Sequence, residues 1–259
     1  QSPVPVIDAA TLAPIVRKAI DDQGQLDDAK VKKALDARPV VRSLSFPAAY
    51  LVERLAGSSV DHACVLPAGQ DPSSWTPDGA LVAGLTDADL LVANGAGYEA
   101  WTERAALPQS RLLLSAAGLD LLTVPRTEHE HGGSGAHLHE GTNPHTWLDP
   151  DRYAAQARAV AAALMTLVPV KAPEIEARLG ELAVELDGLA ATWDELLGVL
   201  NEHQIAGNDV AWAYLLERAK LPFTLILLDP AAPLEAPPAE AFRAFVGAHP
   251  SPLMLWTAA

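Results

Sequence analysis

Five of the eight histidines in this 259-residue chain fall within residues 129–149: His129, His131, His137, His139 and His145. Neutral imidazole is a ready ligand for zinc, copper and nickel, so imidazoles interleaved with carboxylates form a metal-capturing pattern. The first four alternate with Glu128, Glu130 and Glu140 in a run rich in Gly and Ser. Such a run has little to bury and reads as a loop whose side chains gather around a cation. A solubilising loop has the same composition, although an internal, interrupted run mixed with carboxylates is unlike an added tag. His145 is of another kind. It sits in NPHTWLDP, between Pro144 and Pro150 and close to Trp147 and Leu148, where proline restricts the backbone and the imidazole is held in place.

Composition narrows what this chemistry can serve. Thirty-three acidic against 18 basic residues give a formal net charge of −15. That argues against nucleic acid or an anionic membrane surface as a partner and is compatible with attracting cations. No uninterrupted apolar run reaches the roughly 18 residues that a membrane span needs. The single cysteine, Cys64 in HACVLP, cannot form an internal disulfide and reads as a buried small hydrophobe. No HExxH, GxSxG or glycine-rich phosphate loop is present, so no enzyme is expected. The opening QSPVPV, without an initiating Met or a signal peptide, fits a mature exported protein after processing, or simply a trimmed chain, and composition alone does not decide the compartment. A lipid anchor would then belong to the full precursor.

The elements that must position these residues alternate in type. Residues 10–36 have helical spacing (Leu12, Ile15, Val16, Ile20). PVVRSLSF then reads as a strand, PAAYLVERLAG as a helix stopped by Gly57, and HACVLP as a strand. Residues 78–86 follow as a short helix, with DLLVANG and RLLLSAA as further strands. Short apolar runs alternating with helices imply parallel sheets covered by helices. Residues 150–167 are Ala-rich and helical. Leu179, Leu182, Leu186, Leu189, Trp193, Leu196 and Leu200 are spaced alternately three and four apart, which predicts one helix over 173–200, about 42 Å long at 1.5 Å per residue. A coiled-coil partner helix is the other reading, but the seam is short and lacks a flanking charge pattern. HQIAGND, AWAYLLERAK, PFTLILLD, AEAFRAFVGAH and PLMLW then rebuild βαβαβ. The fold class is α/β: two α/β lobes with mainly parallel sheets joined by one long rigid helix, the ligand cleft lying between them beyond the strands' carboxyl ends. The expected spans are 1–172 for the first lobe with the loop 128–140, 173–201 for the linking helix, and 202–259 for the second lobe.

The blocks VVRSLSFPAAYLVERLAG, LPAGQDPSSWTP, TDADLLVANGAGYEAW, NPHTWLDP and AGNDVAWAYLLERAKLPF, in this order and spacing, resemble the metal-binding receptors of zinc and manganese ABC importers. The histidine-rich loop before NPHTWLDP is similar to that of the zinc-type members. The resemblance implies a periplasmic or otherwise extracytoplasmic monomer that captures a divalent metal, zinc before manganese, and delivers it to an ABC permease. It implies ligands from both lobes, and here this sequence departs. His145 keeps its place, Ser73 stands where the family has histidine, and Asp209 stands at a second such position. The last family ligand, a carboxylate, lies beyond PLMLW, so the second lobe is expected to be short by about one helix and one strand.

A zinc site of this kind wants three or four N, O or S ligands. His145 and Asp209 supply two, with His129, His131, His137 and His139 as loop capture ligands. Ser73 is a poor ligand, because its neutral hydroxyl does not ionise easily at neutral pH. Asp209 also stands where a helix N-cap is needed, and the two roles can coexist. Trp75, Trp147 and Trp212 lie within three residues of the ligand positions. They pack the cleft or form an apolar wall for an organic or metal-chelate ligand. The alternative function is a divergent paralogue with a degenerate metal site, which binds another small ligand or acts as an interaction protein.

Overall fold

The computed structural model describes Ile20, Asp27 and residues 38–123, 141–200, 203–226 and 237–256. Apart from Ile20 and Asp27, the helix expected over 10–36 lies outside these residues, as do the loop histidines His129, His131, His137 and His139. Among the described residues no helix is long and apolar enough to cross a membrane.

The alternating pattern produces two parallel sheets in two compact units. In the first, β1 (Val40–Ser43), β2 (Asp61–Cys64), β3 (Leu90–Ala93) and β4 (Leu112–Leu114) pair in the order β2-β1-β3-β4. Every pairing is parallel. Helices α1 (Phe46–Ala56) and α2 (Gly79–Leu85) form two of the connections. Pro47 opens the first turn of α1, where a missing N–H costs nothing. The core gathers Leu44, Leu85, Leu91, Trp101 and Leu107, with Trp75 packed against it.

The second unit has β5 (Ile205–Gly207), β6 (Phe223–Leu225) and β7 (Leu253–Leu255) in the parallel order β6-β5-β7. Its core is Leu197, Ile205, Leu215, Leu216 and Leu221. In sequence, α3 (Pro150–Leu167) and α4 (Ala172–Gly198) follow β4 and precede β5. After β5 come α5 (Ala213–Arg218) and α6 (Pro237–Ala248). The units are discontinuous in sequence. Residues 95–98 and 116–156 group with the second sheet, and the division falls inside α3 at 156/157 and inside α4 at 182/183. NPHTWLDP thus belongs with β5–β7, whereas the continuous spans read from sequence placed it with the first lobe.

Helix α4 departs from its expected seam. Its buried residues are Ile175, Leu182, Leu186, Ala190 and Leu197, while Leu189 and Leu196 are 45% and 52% exposed. The buried stripe repeats about every 3.7 residues, close to the true helical period. A seam spaced at 3.5 drifts by about 20° per heptad on a straight helix, so the ladder and the buried stripe do not coincide, although its Trp193 and Leu200 still pack against the second unit's core. The leucine ladder marked the helix but misjudged its inner face.

Two details tie α1 to its surroundings. Gly57 ends the helix at φ 52°, a left-handed conformation, and a Cβ there would lie 2.7 Å from Arg178 Nη1. That guanidinium donates to the carbonyl of Leu55 at 3.2 Å, so α4 caps the carboxyl end of α1. His62 on β2 bonds through Nε2 with the hydroxyl of the fully buried Ser43, and its Nδ1 lies 3.8 Å from Glu53. Burial lowers its pKa below the usual histidine value, overcoming the opposing pull of Glu53.

Gly57→Ala combines left-handed strain with a clash, and we expect a loss of about 1–3 kcal/mol of stability, read as a lower midpoint in thermal or urea unfolding. Because His62 is held neutral, the unfolded chain binds its proton more readily. Its contribution is complete above the unfolded value near 6.5 and is lost as pH falls below it. Stability measured from pH 7 to pH 5 should therefore fall less steeply in His62→Gln than in the parent chain.

Candidate metal centre

His145 is held by the residue two before it. Asn143 is fully buried, and its Oδ1 accepts from the backbone N–H of His145 at 3.0 Å and meets His145 Nδ1 at 2.9 Å. Its Nδ2 donates to the carbonyl of Val210 at 2.6 Å. A backbone N–H on one side and a carbonyl on the other leave the amide one orientation. Facing an oxygen that only accepts, Nδ1 must carry the ring proton, which places the imidazole lone pair on Nε2. This is the arrangement in which a histidine is oriented by one nitrogen and ligates through the other.

The same amide reaches the turn that carries Asp209. That turn leaves the carboxyl end of β5, whose neighbours β6 and β7 lie on opposite sides, and such a switch point is where open parallel sheets bind ligands. Asp209 Oδ1 accepts from Ala211 N at 2.8 Å and caps the short turn Val210–Trp212, so the N-cap role is realised. Gly207 makes room for it. A Cβ at Gly207 would meet the ring of Phe223 at 2.8 Å and Trp212 at 3.3 Å. Trp212 packs with the unit's core.

Tyr214, buried on α5, fixes the loop from beneath. Its hydroxyl donates to the carbonyl of Asn143 at 2.7 Å and accepts from Leu122 N at 3.1 Å. Burial pushes its pKa up, so the phenol stays protonated. Arg152 lies over the Tyr214 ring, 4.6 Å from its centre, and donates to Asp149 at 2.6 Å and Glu217 at 2.8 Å. Burial works against the charged guanidinium, yet those two carboxylates hold its pKa above the usual arginine value. Asp149 also accepts from Asp151 N at the start of α3 and from Arg218. The backbone N–H of Asn143 donates to the carbonyl of Leu122, and Thr123 bridges Thr142, so residues 122–123 and 142–143 lie side by side next to His145.

The aromatic neighbours differ from one another. Trp147 lies 5.2 Å from the His145 ring, and Tyr98 lies 5.9 Å from His145 and 4.6 Å from Trp147, centre to centre. Tyr98 is delivered by a turn in which Gly95, Ala96 and Gly97 all have positive φ (81°, 55° and 81°). For Ala96 this costs about 1 kcal/mol or more. Ser73 and Trp75 belong to the other unit. Ser73 Oγ donates to Asp71 Oδ2 at 2.7 Å, and Trp75 meets Trp101 edge-on at 5.9 Å.

The structure therefore gathers His145, Trp147 and the Asp209 turn in one unit, joined through Asn143. Among the described residues, no group of three or more His, Cys, Asp or Glu is placed to hold a metal ion. Asn143, Tyr98 and Tyr214 escaped the sequence reading. Asn-Pro before the histidine was a turn signal that pointed to Asn143; nothing local in sequence joins Tyr98 or Tyr214 to it.

The sequence pattern of the family ZnuA, zinc-uptake complex component A, periplasmic, matches residues 40–248. The zinc-binding lipoprotein AdcA of Streptococcus pneumoniae is 25% identical over 191 residues, covering 71% of this chain and 38% of that protein. The high-affinity zinc uptake system protein ZnuA of Paracoccus denitrificans is 29% identical, covering 68% and 59%. The chain thus spans less than two thirds of the length of either relative. The metal-dependent lipoprotein YcdH of Bacillus subtilis shares the fold with a TM-score of 0.71 at 19% identity, over 85% of this chain and 79% of that one. With the match extending over most of its length, the chain belongs to the ZnuA family of periplasmic zinc-uptake components.

Proposed function

We propose that the chain is an extracytoplasmic receptor that captures a divalent metal, zinc first, and passes it to an ABC permease. The observation that carries this is the fixed tautomer of His145, whose Nδ1 is committed to Asn143 and whose Nε2 has the lone pair. Asp209 is the second ligand in this reading. Its cap uses Oδ1, and a carboxylate accepts at both oxygens, so capping and ligation are compatible. The histidines of the segment 128–140 serve as capture ligands, and the net charge of −15 favours cation approach. The zinc named in AdcA and ZnuA supports that metal. Manganese is the other candidate, since the receptor FpvC of Pseudomonas aeruginosa, of the same fold at TM-score 0.62, was solved with Mn2+.

A second reading, a paralogue with a decayed site, is favoured by Ser73. Its hydroxyl is neutral and already bonded to Asp71, where an imidazole would have supplied a strong donor.

Titration calorimetry of the metal-stripped chain with zinc separates the two. The metal-receptor reading requires 1:1 binding that falls on His145→Ala and survives removal of residues 128–140. Binding indifferent to His145→Ala, or lost with the loop, leaves the decayed-site reading. Asn143→Ala frees the imidazole to rotate and change tautomer, and we expect zinc affinity to fall about 10- to 100-fold, as for other residues that orient a ligating histidine. His145→Ala and Asn143→Ala should therefore weaken binding in that order.

A further inference from the structure

Resting on the metal-receptor reading, we propose that Tyr214 is a positioning residue of the metal centre: its hydroxyl stands in a main-chain rung and thereby sets the orientation of His145. Thr123 and Thr142 bridge in antiparallel fashion, so Leu122 and Asn143 face each other as the next pair. Residues paired in this way exchange two main-chain bonds. One is made directly, the Asn143 N–H donating to the Leu122 carbonyl at 2.8 Å. The other runs through a side chain. The Leu122 N–H donates to the Tyr214 hydroxyl at 3.1 Å, and that hydroxyl donates to the Asn143 carbonyl at 2.7 Å.

A side chain that only filled this space could be phenylalanine. The relay needs one group that accepts and donates at once, which a hydroxyl does and a hydrocarbon edge does not. Asn143 is fully buried, as is Tyr214, so the Asn143 carbonyl has no water to turn to once the hydroxyl is removed. The rung then closes directly or the carbonyl is left unpaired. Either outcome turns Asn143, and with it the amide that holds the N–H and Nδ1 of His145 and reaches the Val210 carbonyl. The phenol is itself held. Arg152 lies over its ring at 4.6 Å, donates to Glu217 one turn further along α5, and donates through Nε to the carbonyl of Asp120 at 3.2 Å. One guanidinium thus fixes both the phenol and the strand to which it bonds, with a cation–ring attraction added. Through these contacts α5 determines which way His145 points.

The test reads His145 itself. Nitrogen NMR of the isotope-labelled, metal-free full chain, at a pH where the ring is neutral, reports which ring nitrogen carries the proton. Titration calorimetry with zinc reports affinity. In the parent chain the proton is on Nδ1. Tyr214→Phe keeps the ring and removes the relay, and the expected result is a mixture of the two tautomers with zinc affinity lower by about tenfold, the low end for residues that orient a ligating histidine. A purely structural role gives another result: a lower unfolding midpoint with tautomer and affinity unchanged, as in Gly57→Ala. That result overturns the proposal. Arg152→Lys retains a charge for Asp149 and Glu217 but loses the planar group over the ring, so it should move both readouts the same way by less. It decides the question if Tyr214→Phe does not fold, since an unmoved tautomer there overturns the proposal equally. Zinc affinity indifferent to His145→Ala refutes the metal-receptor reading, whereas affinity that depends on His145 but not on Tyr214 refutes this inference alone.

Discussion

The second unit is organised around one buried carboxamide. Asn143 uses its side-chain oxygen on two groups of His145, its side-chain nitrogen on the Val210 carbonyl, its backbone N–H on Leu122 and its carbonyl on the Tyr214 hydroxyl. Each group would cost about 1–3 kcal/mol if buried unpaired, so the residue is tolerable at full burial only when all are satisfied. A fully satisfied network also admits one arrangement, because any slip orphans a donor or acceptor. The position of His145, the path of the Asp209 turn and the pairing of Leu122 with Asn143 follow from the same set of bonds.

Charges below the loop hold the platform on which that amide rests. Arg152 and Arg218 converge on the buried carboxylate of Asp149, and Arg218 also reaches Asp151 and Asp194. Carboxylates from α3 and α4 hold the Arg218 pKa above the usual arginine value, the Asp194 hydrogen bond foremost. Exposed ion pairs contribute little singly. Their role here is geometric: they fix the amino end of α3 and the α5 face that presents Tyr214, and Arg152 lies across the Tyr214 ring. The single histidine is thus supported by three successive layers, each drawn from a different part of the chain.

The alternation of short apolar runs with helical stretches was enough to read the described strands and α-helices from sequence, though not the short 3-10 turns such as Ala100–Glu103 and Gln109–Arg111. What sequence could not give was depth. The leucines of α4 named the helix, yet Leu189 and Leu196 face outward, since a 3.5-residue spacing and a 3.6-residue helix part company over its length. In the site, His145 was legible from the stiff NPHTWLDP frame, and the capping role of Asp209 from its position before a helical run. Tyr98 and Tyr214 stand 47 and 69 residues from His145 in sequence, and only the folded chain brings them to it. Trp75 and Trp212 stand near the ligand positions in sequence, yet each packs with the core of its own unit.

The bond from Asn143 to position 210 is made to a main-chain carbonyl. Any amino acid offers that oxygen, so the scaffold does not register which side chains occupy 209 and 210. The Asp209 cap depends only on a short oxygen-bearing side chain, which several residues provide. Architecture and ligand chemistry are therefore decoupled at this turn. A lineage can exchange the donor it points at its cargo, or lose it, without disturbing the histidine next door, and the fold remains available for a new substrate while the old one is being abandoned.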